Sequence, residues 1–149
     1  MTARKAFTLF MEDRQVSGVS PQTLLFYENT VEKFVEFAGS NKTLATTSKK
    51  INAYFLGLQE RGLAQASIHS HWRAIKAFWN FVYAEQYIDQ MPKLPRIKPS
   101  AKQVRPLSIN QVRQILQHFG SYKFIDVRNG TIFRLMYDTG LRLSEVAGL

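Results

Sequence analysis

The sequence contains no cysteine, which removes disulfide scaffolds, thiolate zinc sites and cysteine nucleophiles together. Only three histidines are present. Two of them, His69 and His71, are two residues apart, which on a helix splays them by about 200° and rules out a shared metal. No metal and no cofactor is expected. No run approaches the roughly 20 uninterrupted apolar residues that cross a bilayer, and the opening Met1 to Phe7 lacks the apolar stretch of a secretion signal before Glu12 and Asp13. The expectation is a soluble, intracellular protein that uses no membrane. Acid is also scarce: eleven Asp and Glu stand against twenty Lys and Arg, for a net charge of +9. That imbalance favours a polyanion such as nucleic acid over an anionic membrane surface. What is there, 149 residues with 45% hydrophobic and 21% charged, suffices for one ordinary core or two small ones and argues against disorder.

The charge is concentrated. Residues 92–105 carry five cations, Lys93, Arg96, Lys98, Lys102 and Arg105, and no acid, whereas the segments on either side are each only +2. Four of the five prolines, Pro92, Pro95, Pro99 and Pro106, lie in or beside this stretch. Proline denies a helix its N–H and favours an extended chain. The stretch reads as an extended basic linker between two domains, with a spacer kept soluble by its lysines as the plainer alternative.

Before it, apolar residues recur at three and four, and strand signals are few. A first helix is expected over about residues 4–16, ended by Gly18. Ser20 and Pro21 supply an N-cap and a first-turn proline for a second helix reaching about Ala38, with Gly39 as its stop. Along it Glu28, Glu32 and Glu36 form an acidic row that should face away from any DNA. A third helix runs from about Ser48 to Arg61. The fourth, about Gln65 to Gln86, divides into an apolar arc of Ile68, Trp72, Ile75, Trp79 and Val82 and an opposite stripe of Gln65, His69, Arg73, Lys76 and Asn80. Such a stripe of donors suits phosphate oxygens, and an ordinary solvated face has the same pattern. His71 falls on the apolar side, as a packed histidine.

After the linker, Ser108 and Gln111 form a capping box opening a helix with Val112, Ile115 and Leu116 inward. Residues 122–129 are ambiguous, and Gly130 either interrupts the next helix or lies in the turn before it. That helix carries Ile132, Leu135 and Met136. These stripes are expected to lack partners, so that this half is partly unordered or packed on the bundle or on another chain.

The last segment is the most specific. Thr139-Gly140-Leu141-Arg142 is followed by Ser144-Glu145 and Leu149; Gly140 suits a left-handed cap after which Arg142 projects from the turn. On its own this could be a helix-turn-helix with a capping acid. It resembles the first catalytic-arginine motif of the tyrosine recombinases, also called the phage integrase family, of integrase or Xer-like type. The resemblance extends through most of the chain. Residues 67–81 are similar to the last long helix of that family's core-binding domain, and Pro106-Leu107-Ser108 with Gln111-Val112 to the opening of its catalytic domain.

The resemblance implies an all-α, four-helix SAM-like core-binding bundle (1–91), a basic proline-rich linker (92–105) and helices from the start of a mixed α/β catalytic domain (106–149). It implies double-stranded DNA and other recombinase subunits as partners, no small-molecule substrate, and a cytoplasmic, nucleoid-associated location. Gln65, His69, Arg73, Lys76, Asn80, Lys93, Arg96, Lys98, Lys102 and Arg105 are then the DNA-contact candidates. Arg142 becomes the arginine that grips the scissile phosphate, a task suited to its planar, always-charged fork. The family's lysine, His-x-x-Arg box and nucleophilic tyrosine have no counterpart here; Tyr122 and Tyr137 read as packing residues. The expectation is an N-terminal portion of a recombinase that binds DNA and does not cut it alone. Two alternatives stay open: a free-standing DNA-binding module and a helical protein-interaction domain.

Overall fold

Helices begin where the sequence offers caps. The computed structural model of the chain describes residues 1–99 and 105–149, and among them there are nine α-helices, one π-helical turn and no strand. The chain divides into two units, Met1–Ala101 and Lys102–Leu149.

In the first unit, α1 (Ala3–Val16) is capped by Thr2, whose hydroxyl accepts from the Lys5 N–H. Ser20 caps α2 (Pro21–Tyr27) with Pro21 in the first turn. The expected single helix to Ala38 is interrupted by a π turn at Glu28–Glu32 before α3 (Lys33–Ala38). The Asn29 and Thr30 side chains donate to the carbonyls of Leu25 and Phe26, competing with the backbone for those acceptors. The acidic row is partly paired. Glu32 and Glu36 both pair with Arg4 of α1, the latter at 3.7 Å, so α1 answers part of their mutual repulsion.

Gly39 ends α3 with φ +97°, and a Cβ there would lie 2.9 Å from Lys42 Cγ; both conditions call for glycine. The chain then returns to its own start: Ala3 and Arg4 N–H donate to the Lys42 and Ser40 carbonyls. A five-residue helix absent from the sequence reading, α4 (Leu44–Ser48), follows with Thr43 as cap. It is separate from α5 (Ile51–Glu60), where one helix was expected from about Ser48. The long α6 (Gln65–Ala84) packs against α1, α5 and the π turn.

Phe10 sits at the centre of this core, with edge-on rings of Tyr27, Phe78 and Phe81 at 4.9, 5.7 and 5.6 Å. Phe34, Ile75, Phe78, Trp79 and Val82 are wholly buried around it, each side chain stabilising the fold by about 1.5–3 kcal/mol or more.

In the second unit, α7 (Ile109–His118) opens with the Ser108–Gln111 capping box, and α8 (Phe124–Thr139) runs straight through Gly130. A Cβ at Gly130 would come within 3.3 Å of Phe119 Cβ, so the glycine permits close approach and does not break the helix. Gly140, φ +71°, caps α8, and the short α9 (Leu143–Val146) follows. Among the described residues of this unit Val112 alone is buried; Ile115, Leu116, Ile132, Leu135 and Met136 are half-buried.

Candidate nucleic-acid interface

On α6 the five stripe residues have unequal roles. Arg73, Lys76 and Asn80 are exposed. Lys76 holds its ammonium 5.0 Å from the centre of the Trp72 indole, and His69 is half-buried and stacked on the same ring at 5.6 Å. Gln65 is exposed but committed: its amide donates to the Lys98 carbonyl at 3.0 Å. Trp72, placed by periodicity among the core residues, is half-buried at the edge of the arc. Its indole N–H donates to the Pro95 carbonyl at 2.8 Å.

Those two bonds carry a finding that the composition of the linker conceals. Residues 92–99 lack regular structure, as their prolines require, yet they form a strap along the bundle. Met91, Leu94 and Ile97 pack against its core. Lys93, Arg96, Lys98 and Pro99 are exposed. Inward residues recur every third position, with Lys93 and Arg96 on an outward row of the same spacing, which is the repeat of a polyproline II helix. The strap therefore presents cations outward and buries apolar side chains inward. Arg105 is exposed in the second unit, and Lys102 lies outside the described residues.

Trp72 links two cation-bearing stretches of sequence, α6 and the strap, whose Lys93 and Arg96 lie along a cleft with Asn52, Leu56 and Gln59 of α5. Lys76 covers the ring, Arg73 follows it in sequence, and the strap bonded to it carries Lys93, Arg96 and Lys98. Among the described residues none of these five is in an ion pair, so the charge is available to an external anion. The signals that could have revealed Trp72 and the strap are the spacing of Met91, Leu94 and Ile97 within a proline-rich run and an indole at the margin of its arc.

His71 takes no part in this surface. Its Nδ1 lies 3.0 Å from the Tyr54 hydroxyl, on a cavity of about 430 Å³. Burial first, then the charges of Lys33 and Arg61, hold the imidazole below its ordinary pKa. Burial pushes the Tyr54 phenol up to about 12, with Arg61 opposing. Both shifts favour the neutral forms, a protonated phenol beside an uncharged ring.

Arg142 stands at the N-terminus of α9. Its backbone N–H donates to Glu145 Oε2 at 2.7 Å, and its guanidinium meets Glu145 Oε1 at 3.3 Å. The side chain is 83% exposed. Gly140 turns the chain, and the Thr139 hydroxyl, accepting from the Leu141 N–H, steadies the approach. Among the described residues no group of three or more metal-binding side chains comes together, and no helix is long and apolar enough to cross a membrane.

Residues 7–89 match the family described as phage integrase, N-terminal SAM-like domain. The chain belongs to the phage integrase family. The SAM-like match runs from α1 past the end of α6, in keeping with an all-α bundle. Relatives extend the likeness over most of the chain. Tyrosine recombinase XerD of Oceanobacillus iheyensis is 29% identical over 138 residues, covering 89% of this chain and 46% of the relative. Tyrosine recombinase XerC of Chromobacterium violaceum is 24% identical over 147 residues, covering 97% and 49%. XerC of Histophilus somni is 27% identical over 151 residues, covering 98% and 50%. This phage integrase family member thus spans about half the length of the curated relatives it matches. No solved structure matches it.

Proposed function

We propose that this chain is a DNA-binding N-terminal portion of a site-specific tyrosine recombinase, gripping duplex phosphates with α6 and the strap. The observation that carries the reading is the set of exposed cations outside any ion pair on α6, Arg73 and Lys76, and on the strap that Trp72 holds to the bundle, Lys93, Arg96 and Lys98. Amides and guanidinium or ammonium groups at such spacing donate to phosphate oxygens without reading base edges, so binding is sequence-tolerant. Its affinity falls steeply with salt because each neutralised phosphate releases counterions. Asn80, His69, Lys102 and Arg105 are further proposed phosphate contacts, whereas Gln65, first a candidate for DNA, supports the strap instead.

Within a whole recombinase, Arg142 is the proposed ligand of the scissile phosphate, its forked donors meeting two phosphoryl oxygens as negative charge grows on phosphorus. Other recombinase subunits are the proposed protein partners, and a double-stranded DNA substrate is in keeping with a proposed location in the cytoplasm, at the nucleoid. The test is fluorescence anisotropy of a labelled duplex across a salt series. Replacing Arg73 with alanine is expected to lower the slope of log Kobs against log[salt] by close to one. A slope unchanged from wild type would reduce the α6 stripe to a solvated face, and binding that ignores salt would remove the proposal altogether.

A further inference from the structure

Trp72 is spent neither as a core residue nor as a solvated one. A buried indole would not leave its face to Lys76 and its edge to a proline carbonyl 23 positions along the chain. The arrangement has the logic of polyproline recognition, in which an aromatic ring and its N–H capture the carbonyl of an extended proline segment whose three-residue repeat seats alternate rows in a groove. Here ligand and groove are in one chain. The ligand is the strap, held by Pro95 on Trp72, by Lys98 on Gln65, and by Leu94 and Ile97 against the core. Prolines at 92, 95 and 99 restrict the unbound segment to extended conformations, so little conformational freedom is lost on docking.

We propose that Trp72 is a positioning residue: by holding the strap in an intramolecular polyproline-type groove, it fixes Lys93 and Arg96 to the surface of the bundle, along the cleft they share with Asn52, Leu56 and Gln59 of α5, as preorganised phosphate-binding cations. The consequence for DNA rests on the duplex-binding reading; the docking itself does not. Without the anchor the same cations would hang on a flexible chain, carrying the same charge but meeting phosphates only after being ordered by them. Gln65 is the second anchor. It is assigned to the strap and not to DNA, because its amide is already directed at the Lys98 carbonyl.

The experiment uses the full chain and the variants Trp72→Phe, which keeps the ring and removes the N–H donor, and Gln65→Ala, an exposed site that leaves the bundle intact. Without DNA, brief trypsin digestion followed by mass spectrometry reads cleavage after Lys93 and Arg96. Each variant is expected to speed that cleavage by roughly 2- to 12-fold, the population change for losing one ordinary hydrogen bond, and the double variant by about the product. Helical circular dichroism should stay at the wild-type level. With duplex present, Trp72→Phe is expected to flatten the salt slope by up to about two, as Lys93→Gln/Arg96→Gln does, and the triple variant should go no further.

Wild-type cleavage rates in the double variant would overturn the docking. Faster cleavage with an unchanged salt slope would overturn the positioning role while leaving the groove. If Trp72→Phe does not fold, Gln65→Ala decides the same two questions. Should the wild type show no salt-dependent duplex binding at all, the functional reading fails, and the cleavage comparison still reports on the groove.

Discussion

The two units use equally clear local signals and reach different degrees of burial. Thr2 and Ser20 cap helices in the first, and Ser108 and Gly140 cap them in the second. Yet the first unit encloses a continuous core from Ala3 to Val82, and among the described residues the second buries only Val112. Tyr122, Phe124, Ile125 and Leu143 of the second unit are all largely exposed. Caps and periodicity decide where a helix forms; enclosure requires a facing layer, and α7, α8 and α9 provide too few faces to enclose one another. The stripes expected to lack partners after Ser108 are more covered than that expectation, with Val112 buried and Ile115, Leu116, Ile132, Leu135 and Met136 half-buried, and the exposure falls on other residues.

The contrast would break most visibly at Phe10. Phe10→Ala is expected to destabilise the first unit by about 3–5 kcal/mol, measured as a lowered denaturation midpoint followed by tryptophan emission, since both tryptophans lie in that unit. A loss under about 1 kcal/mol would mean the bundle is as loosely enclosed as its neighbour.

Tyr54 and His71 sharpen the contrast by pH. A phenol raised to about 12 stays protonated when folded, so its contribution is whole below pH 10 and is lost between about pH 10 and 12, up to roughly 2–3 kcal/mol. Ultraviolet titration should find the Tyr54 phenol ionising only toward about pH 12, and a Tyr54→Phe variant that leaves the late part of the curve unchanged would contradict the burial. His71 is depressed. The unfolded chain therefore binds its proton more tightly, and stability is complete above pH 6.5 and declines as pH falls below it. His71→Gln should flatten that decline, seen in urea midpoints at pH 7 and pH 5.

In the second unit the expected effects shrink. Val112→Ala should cost that unit about 1–2 kcal/mol and leave the bundle's midpoint in place, because the sites share no core. Amide exchange resolves the two units separately, and a coupled loss in both would erase the distinction drawn here. Smallest of all is Arg142→Ala. Its pair with Glu145 is exposed and contributes under about 1 kcal/mol. Stability and duplex affinity of this chain should therefore barely change, whereas in a complete recombinase the same change is expected to abolish covalent protein–DNA adduct on a suicide substrate.

Most of the helical framework was legible from composition and pattern because it is written locally. Serine and threonine at caps, glycine at stops and apolar residues at three and four act within a turn or two. The misread places share a different cause. The π turn depends on Asn29 and Thr30 side chains taking carbonyls that a propensity scale assigns to the backbone, and α4 is too short to show a period. Gly130 resembles a breaker until Phe119 is seen packing against it. For the candidate site, the cations were visible by count and stripe, but their assembly was not. Trp72 to Pro95 and Gln65 to Lys98 are contacts across 23 and 33 residues, and no window of sequence holds both partners.

The two tryptophans give the bundle a built-in optical readout. Trp79 is wholly buried and its N–H has no partner among the described residues, so its emission reports the interior and phenylalanine there forfeits no hydrogen bond. Trp72 touches a cation, an imidazole and a backbone carbonyl at the protein surface. In a Trp79→Phe background it would be the sole indole fluorophore, its colour shifting to the red whenever the strap lifts, so that the chain reports the state of its own connector without a dye.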